Sequence, residues 1–336
     1  MNLNTLTKPK ILHLLNDRNL GGIRVTLDSL NNSRLNEKFD FAIASYSDVQ
    51  SVLAAAPSHL VLIHNPSAWK YLPSLLKLKK YGVKLLICEH HYSEDFETLN
   101  VPSKWRFRLM LKVFYRLVDQ VVAISQSQTY WMQKYHLVAP HQLVSIQQGR
   151  ILDAFLVVAP QPIQKPLRLA AYGRFSAQKG FDCLLQAMRS VPADAVELRI
   201  GGYGPDEMSL KQLAQGLENI QFCGQIQDVP AFLAECDAVV IPSRWEPWGH
   251  VCQEAKAAGK PVIASDVDGL SEQVQNCGVL VPPDNPQKLA EAIQMLAALP
   301  TETLAAWGQA GRESVRNAWE KYLNEWEHLF KTTLSS

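Results

Sequence analysis

Residues 238–264 read AVVIPSRWEPWGHVCQEAKAAGKPVIA, and this stretch decides the fold. Val239–Ile241 is a short apolar run of the kind that becomes a buried strand, and Pro242–Glu246 is a loop. A helix is expected from about Pro247, because a proline ring suits the first helical position, where its missing N–H would be unpaired anyway. Gly259 ends that helix, and Pro261–Ala264 is a second buried strand. Strand, helix and strand in so short a span predict a parallel βαβ unit with a right-handed crossover. Glu246 and Glu254 stand eight residues apart across the loop and helix. Helical side chains lean toward the helix N-terminus, so Glu254 is expected to reach back toward Glu246. Two acids near a helix N-terminus, at the end of a parallel strand, suit a polyhydroxylated ligand.

The same alternation extends in both directions. Before this stretch, strands are expected at 11–15, 39–44, 60–64, 84–88, 120–124 and 143–146, with helices at 23–30, 104–118 and 125–135. After residue 166, strands are expected at 168–172, 196–201, 220–222 and 279–281, and helices at 181–189, 207–217, 230–234 and 287–299. Such alternation builds mostly parallel sheets with helices on their faces. The segment 157–166, VVAPQPIQKP, holds three prolines and no clear period, which marks a linker. The expected fold is therefore α/β, with two doubly wound Rossmann-like domains at 1–156 and 167–300 joined by that linker. Residues 301–336 read as helix only. Their heavy anchors, Trp307, Trp319, Tyr322, Trp326 and Phe330, must bury a face, and they are expected to pack back toward the N-terminal domain.

At 336 residues the chain is longer than one core usually sustains, which agrees with two domains. A net charge of +1 hides an asymmetry: residues 1–160 carry 18 Lys/Arg against 11 Asp/Glu, and the remainder 15 against 21. Only the first half suits an anionic surface. The six cysteines form no CxxC pair and lie mostly in apolar runs, so they read as buried, reduced thiols. The first ten residues, MNLNTLTKPK, hold no apolar signal core, and no apolar run approaches the ~20 residues that span a bilayer. A cytoplasmic protein is expected.

Ligands of open α/β sheets bind outside the carboxyl ends of the strands. Gly21-Gly22 follows the first strand, and Glu89-His90-His91 follows the strand ending at Cys88. Gly173-Arg174 follows 168–172, with Lys179-Gly180 at the next helix start, and Gly201-Gly202-Tyr203-Gly204 follows 196–200. Gly21-Gly22 lets backbone N–H groups approach an anion at a helix start, or is simply a tight turn. Arg174 and Lys179 are two cations able to hold a diphosphate without a metal, or a solvated surface pair. The Gly202 and Gly204 turn lacks dinucleotide spacing, and no acid follows a suitable strand, so NAD is disfavoured. Glu89, His90 and His91 have no further ligand at metal spacing, so no metal site is expected and His90 reads as a strand-end hydrogen-bonding group. Asp266-Val267-Asp268 reads as a turn and helix cap.

The stretch KWRFRLMLKVFYR, Lys104–Arg116, interleaves basic and large apolar residues. Two readings stay open for it: a helix lying peripherally on an anionic membrane, or a domain helix with a basic solvent face. Nucleic-acid binding is not expected, because the half lacks a recognisable module.

At this point the residues resemble a family. PSRWEPWGHVCQEAKAAGKPVIAS (242–265) resembles the E-x7-E segment of the GT-B glycosyltransferases of family 4, retaining enzymes that use nucleotide-sugar donors. The resemblance spans nearly the whole chain and implies two domains facing a cleft. By it, Glu246 and the backbone after it, near Trp248, Gly249 and His250, face the donor sugar, and Glu254 binds the ribose. Arg174 and Lys179 match the family's GR…KG loop, which holds the diphosphate. Gly202 and Gly204 match its glycine turn, Gly21 and Gly22 its N-terminal loop, and His90 the histidine beside the reacting sugar. Gln148-Gly149 stands where the family usually has Asn-Gly, and Asp268-Gly269 where it has Gly-Gly. The second departure flanks the sugar pocket.

The resemblance implies transfer of a sugar from a UDP- or GDP-sugar to an acceptor hydroxyl, in cell-surface or lipid-linked saccharide synthesis. The implied partners are that donor and a saccharide or lipid-linked acceptor, with no cofactor and no metal. The placement would be cytoplasmic, with peripheral contact at the inner face of the membrane through the Lys104–Arg116 helix. A same-fold epimerase or phosphorylase and a non-catalytic scaffold subunit are the alternatives. An acceptor requirement separates the first, and donor hydrolysis by purified protein excludes the last.

Overall fold

The computed structural model describes residues 8–16, 22–55, 58–163 and 165–335. They form two compact units: one of residues 1–150 with 319–336, the other of residues 151–318. The division falls at Arg150/Ile151. The expected linker and the first C-terminal helix, Thr301–Val315, lie in the second unit, and most of the last helix, Ala318–Ser335, lies in the first.

The first unit holds a parallel six-stranded sheet. Its strands are β1 (Lys10–Leu14), β2 (Asp40–Ala44), β3 (Leu60–Ile63), β4 (Lys84–Glu89), β5 (Gln120–Ala123) and β6 (Leu143–Ser145). They run in the order β2-β1-β3-β4-β5-β6. β3 and β5 are nearly all aliphatic because helices cover both faces of a parallel sheet, so neither face needs polar residues. Ser93 and Ser125 start their helices by accepting from the amides of Phe96 at 3.2 Å and Gln128 at 3.1 Å. The last helix completes this core: Phe330 packs its ring against Phe39 and Phe41 at 5.3 and 6.1 Å, and Glu327 pairs with Arg34 at 2.7 Å.

The second unit has another parallel six-stranded sheet. Its strands are β7 (Leu167–Arg174), β8 (Val196–Tyr203), β9 (Ile220–Gly224), β10 (Ala238–Ile241), β11 (Val262–Ser265) and β12 (Gly278–Val281). The order β12-β11-β10-β7-β8-β9 means that the chain winds outward from β7 in one direction and from β10 in the other. β7 shows why the sheet is buried on both faces: Leu167, Leu169 and Ala171 enter one core while Ala170 and Tyr172 enter the other. The β7/β10 junction is the topological switch point, where open sheets of this kind bind ligands.

The expected elements are nearly all present, with differences at their ends. The helix after β10 runs from His250 to Ala257, not from Pro247. Gly249, at φ +100°, turns the chain just before it, so Pro247–Gly249 remain loop. Asp268 is not a cap. It is the first residue of a short helix, Asp268–Gln273, and its carboxylate reaches across to another loop.

Candidate functional site

At the switch point the loop after β7 meets the loop after β10. Arg244 fastens the two together. Its guanidinium holds Asp182 at 2.7 Å, Asp284 at 2.7 Å and the Ala177 carbonyl at 2.7 Å, and its backbone amide donates to Gln178 O at 2.8 Å. Arg244 holds the Asp182 carboxyl below its usual range. Gly180 lies so close under Pro242 that a Cβ there would fall 2.0 Å from the Pro242 carbonyl oxygen. Only glycine fits.

This clamp brings Lys179 onto Glu246, and the two form an ion pair. Ser243 Oγ also donates to Glu246 Oε2, at 3.2 Å. The Glu246 backbone is held from the next loop: its amide donates to Asp268 Oδ2 at 3.0 Å, and its carbonyl accepts from Gly269 N at 3.1 Å. Glu254, 4% exposed, accepts from the Tyr172 hydroxyl at 2.8 Å. Arg174 is exposed at the end of β7, its guanidinium making no hydrogen bond or ion pair among the described residues. Gly202 pairs with Gly173 across β7 and β8, and Gly204 follows. Trp248 is buried, and its indole N–H finds no acceptor among the described residues. His250 opens the helix, its Nδ1 3.3 Å from Gln253 Oε1.

One crevice of the second unit therefore gathers Arg174, Lys179, Glu246, Trp248, Gly249 and His250 at the strand ends, with Glu254 on the helix behind them. Tyr172 was missed from sequence, and Asp268 was placed beside the sugar pocket by the resemblance but without its contact to Glu246. Tyr172 had a signal, since it is the residue before Gly173-Arg174. The contact of Asp268 had none, because its left-handed backbone (φ +38°) and its reach to the Glu246 amide depend on packing.

In the first unit, Gly22 begins the helix Gly22–Asn31 after β1, and Gly21 lies outside the described residues. His90 follows β4 and belongs to a chain of imidazoles. Gln148 Nε2 lies 2.6 Å from His90 Nδ1, His90 Nε2 lies 2.9 Å from His64 Nδ1, and His64 Nε2 lies 3.0 Å from His13 Nδ1. His13 Nε2 ends the chain, buried and with no partner among the described residues. A neutral imidazole has one donor and one acceptor, so all three rings must point their protons the same way, and the orientation of the Gln148 amide selects which. Burial lowers the His13 pKa to about 3 and drives that of His64 well below its usual value, with the neighbouring histidines adding to the effect at His64. Cys88 brings its sulfur within 4.8 Å of the facing His64 and His90 nitrogens. Spacing in the sequence hid this cluster. Its nitrogens are satisfied by one another, and burial pushes the Cys88 thiol up, which keeps its proton on. Beneath His90, Glu89 accepts from Tyr115 at 2.9 Å, and burial raises its pKa.

The sequence model of the family "Glycosyl transferases group 1" matches residues 158–314. The chain is 29% identical to a phosphatidyl-myo-inositol mannosyltransferase of Mycobacterium leprae, over 89% of this chain and 80% of that protein. Sucrose-phosphate synthase of Thermosynechococcus elongatus shares the fold at a TM-score of 0.83, with 19% identity, over 98% of this chain and 100% of that one. HepE of Anabaena, solved with UDP and glucose, does so at a TM-score of 0.75, with 21% identity and the same coverage. The crevice at the β7/β10 switch point thus lies within residues that match the group 1 glycosyl transferases, in a chain with the GT-B fold.

Proposed function

We propose that the protein is a retaining, family 4 hexosyltransferase. It moves a sugar from a UDP- or GDP-sugar to an acceptor hydroxyl, without a metal, in building a cell-surface or lipid-linked saccharide. The carrying observation is the convergence of two cations and two carboxylates at one switch-point crevice, with the Arg174 guanidinium exposed and unpaired among the described residues. The mannosyltransferase relative and the UDP complex of the structural neighbour support the donor class. Breaking the bond from the anomeric carbon to the diphosphate leaves negative charge on the phosphate and positive charge on the sugar. Arg174, Lys179 and the N-terminus of the His250–Ala257 helix, which no side chain caps, stabilise the first. Glu246 stabilises the second. The acceptor oxygen bonds the anomeric carbon on the face the phosphate leaves, and its proton passes to the departing phosphate oxygen. Glu254, oriented by Tyr172, binds the ribose. Gly202 and Gly204 let β8 lie close against Gly173 and Phe175, where a Cβ would fall 1.9 Å from the Gly173 oxygen and 2.3 Å from the Phe175 oxygen, and so shape the turn on the donor side. Gly22 and His90 keep the roles that the resemblance implies for them.

A thermal-shift panel of nucleotides and nucleotide sugars tests the donor class: UDP or GDP, with the matching sugar nucleotide, is expected to raise the melting temperature. Glu254→Gln is expected to weaken that nucleotide about tenfold, the order of a hydrogen bond to a charged group. A panel with no stabilising nucleotide sinks the reading, and an unchanged dissociation constant in the variant sinks the role of Glu254.

No helix among the described residues is long and apolar enough to cross a membrane. The Lys104–Arg116 helix nonetheless leaves Trp105 70% and Leu109 49% exposed beside Lys104, Arg106 and Arg116, which fits a lipid-linked acceptor presented at an anionic surface. Arg108 is not part of that face, since it pairs with buried Glu97 at 2.6 Å and stacks 3.4 Å from the Tyr135 ring. Vesicles rich in phosphatidylglycerol are expected to sediment the protein, and Trp105→Ser with Leu109→Ser to release it. Sedimentation indifferent to lipid charge counts against this surface.

A further inference from the structure

The opposite edge of the second sheet, at the starts of β10 and β11, holds a cavity of about 310 Å³. Asp237 lies directly before β10, and Lys260 and Pro261 lie before β11. Arg312 and Gln309 line it from the helix Thr301–Val315, and Gln161 from the segment leading to β7. It is a different place from the crevice, which sits at the other ends of the same strands.

Lys260 is only 5% exposed, yet its ammonium makes no hydrogen bond and no ion pair with any described residue. Burial lowers its pKa, while the Asp237 field opposes that shift. The Asp237 carboxylate is already occupied. Arg168 Nη2 donates to one oxygen at 2.8 Å, and the Arg168 backbone amide and Nε donate to the other at 2.8 and 3.1 Å. Arg312 gives Nε to the Ala257 carbonyl at 3.0 Å and Nη2 to the Val158 carbonyl at 2.8 Å, and its Nη1 finds no acceptor among the described residues. Burial and then Arg316 lower the Arg312 pKa as well. Arg168 and Lys260 thus share the field of one carboxylate whose oxygens Arg168 occupies, and Lys260 and Arg312 both keep unused donors at the cavity. Positive charge is in excess there, and the partner that balances it is an anion.

We propose that this cavity binds a small phosphomonoester, its phosphate between Lys260 and Arg312. A point donor and a fork donor approaching from different elements suit a tetrahedral dianion better than a flat carboxylate. Gln161 and Gln309 supply amides for hydroxyl groups on a short carbon tail, and Leu304 supplies an apolar wall.

The test is calorimetric titration with glycerol 3-phosphate, inorganic phosphate and, as control, glycerol. Arg174→Ala serves as the parent, because it removes the exposed cation of the donor crevice while Lys179 stays paired with Glu246. The parent is expected to bind one glycerol 3-phosphate per chain, inorganic phosphate more weakly, and glycerol not at all. Adding Lys260→Met should weaken glycerol 3-phosphate at least tenfold, whereas adding Lys260→Arg should retain it within about threefold. Without ligand, Lys260→Met should melt no lower than its parent, because an unbranched apolar side chain of similar length stays and a buried cation without a hydrogen-bond partner goes. Absence of binding in the parent, undiminished binding in Lys260→Met, or a markedly lower melting temperature for that variant each overturns the proposal. None of these outcomes depends on whether the donor crevice transfers a sugar.

Discussion

Glu246→Gln is expected to lower the rate of sugar transfer by roughly 10²–10³-fold, the loss seen when one preorganised group facing developing charge is removed. The fold should survive. An amide oxygen still accepts from Lys179 and Ser243, and the backbone bonds from Glu246 to Asp268 and Gly269 do not involve its side chain. What disappears is the negative charge beside the sugar as its ring becomes cationic. Nucleotide affinity should hold or tighten, because Lys179 no longer has to leave a carboxylate to meet a diphosphate. Initial rates and nucleotide affinity measured together separate this from general damage. Near-wild-type turnover removes Glu246 from the chemistry, whereas equal losses in rate and affinity assign it to binding alone.

A second large effect is expected on acid stability, from the imidazole chain. His13 has an ordinary pKa of 6.5 when unfolded and about 3 when folded. Between those values the unfolded chain binds a proton that the folded chain refuses, so stability rises with pH there and is lost as pH falls below 6.5. From pH 6.5 to 5 this amounts to about 2 kcal/mol for one histidine, at about 1.4 kcal/mol per pH unit. His64, lowered for the same reason and by its histidine neighbours, adds in the same direction. His13→Leu should therefore shrink the difference in unfolding free energy between pH 7 and pH 5 by about 2 kcal/mol. The comparison across pH matters, because the variant also leaves His64 Nε2 without its partner and is expected to be less stable at pH 7. Denaturant titrations at the two pH values give the answer. A difference as large as in the parent means that His13 is protonated in the folded state.

The fold was legible because parallel strands buried on both faces leave short aliphatic runs, as in Leu60–Ile63 and Ala238–Ile241, and these show without any periodicity. The loops after them were legible for a different reason: glycines and charged residues collected at the strand ends where ligands of such sheets bind. Element ends were less so. Pro247 signals a helix start, but Gly249 overrides it by turning left-handed just before His250. Helices such as Val49–Ala55 and Glu94–Asn100 were missed, being too short for a 3.6-residue period to show. Contacts between distant residues were invisible. Nothing in the sequence ties Arg244 to Asp182 and Asp284, Tyr172 to Glu254, or His13 to His64, since these pairings follow from strand order and not from spacing.

The last helix, Ala318–Ser335, bears on how the chain is made. Phe330 and Trp326, two of the largest fully buried side chains, come after the whole second unit in the order of synthesis. The ribosome thus delivers the second unit complete while the first still lacks part of its core. The nascent first unit must wait with Phe39 and Phe41 uncovered, although it began to emerge first. The usual sequence of N-terminal domain first is reversed here at the final step. Chains that stall near residue 318 would carry one finished unit and one that chaperones and proteases still recognise as incomplete.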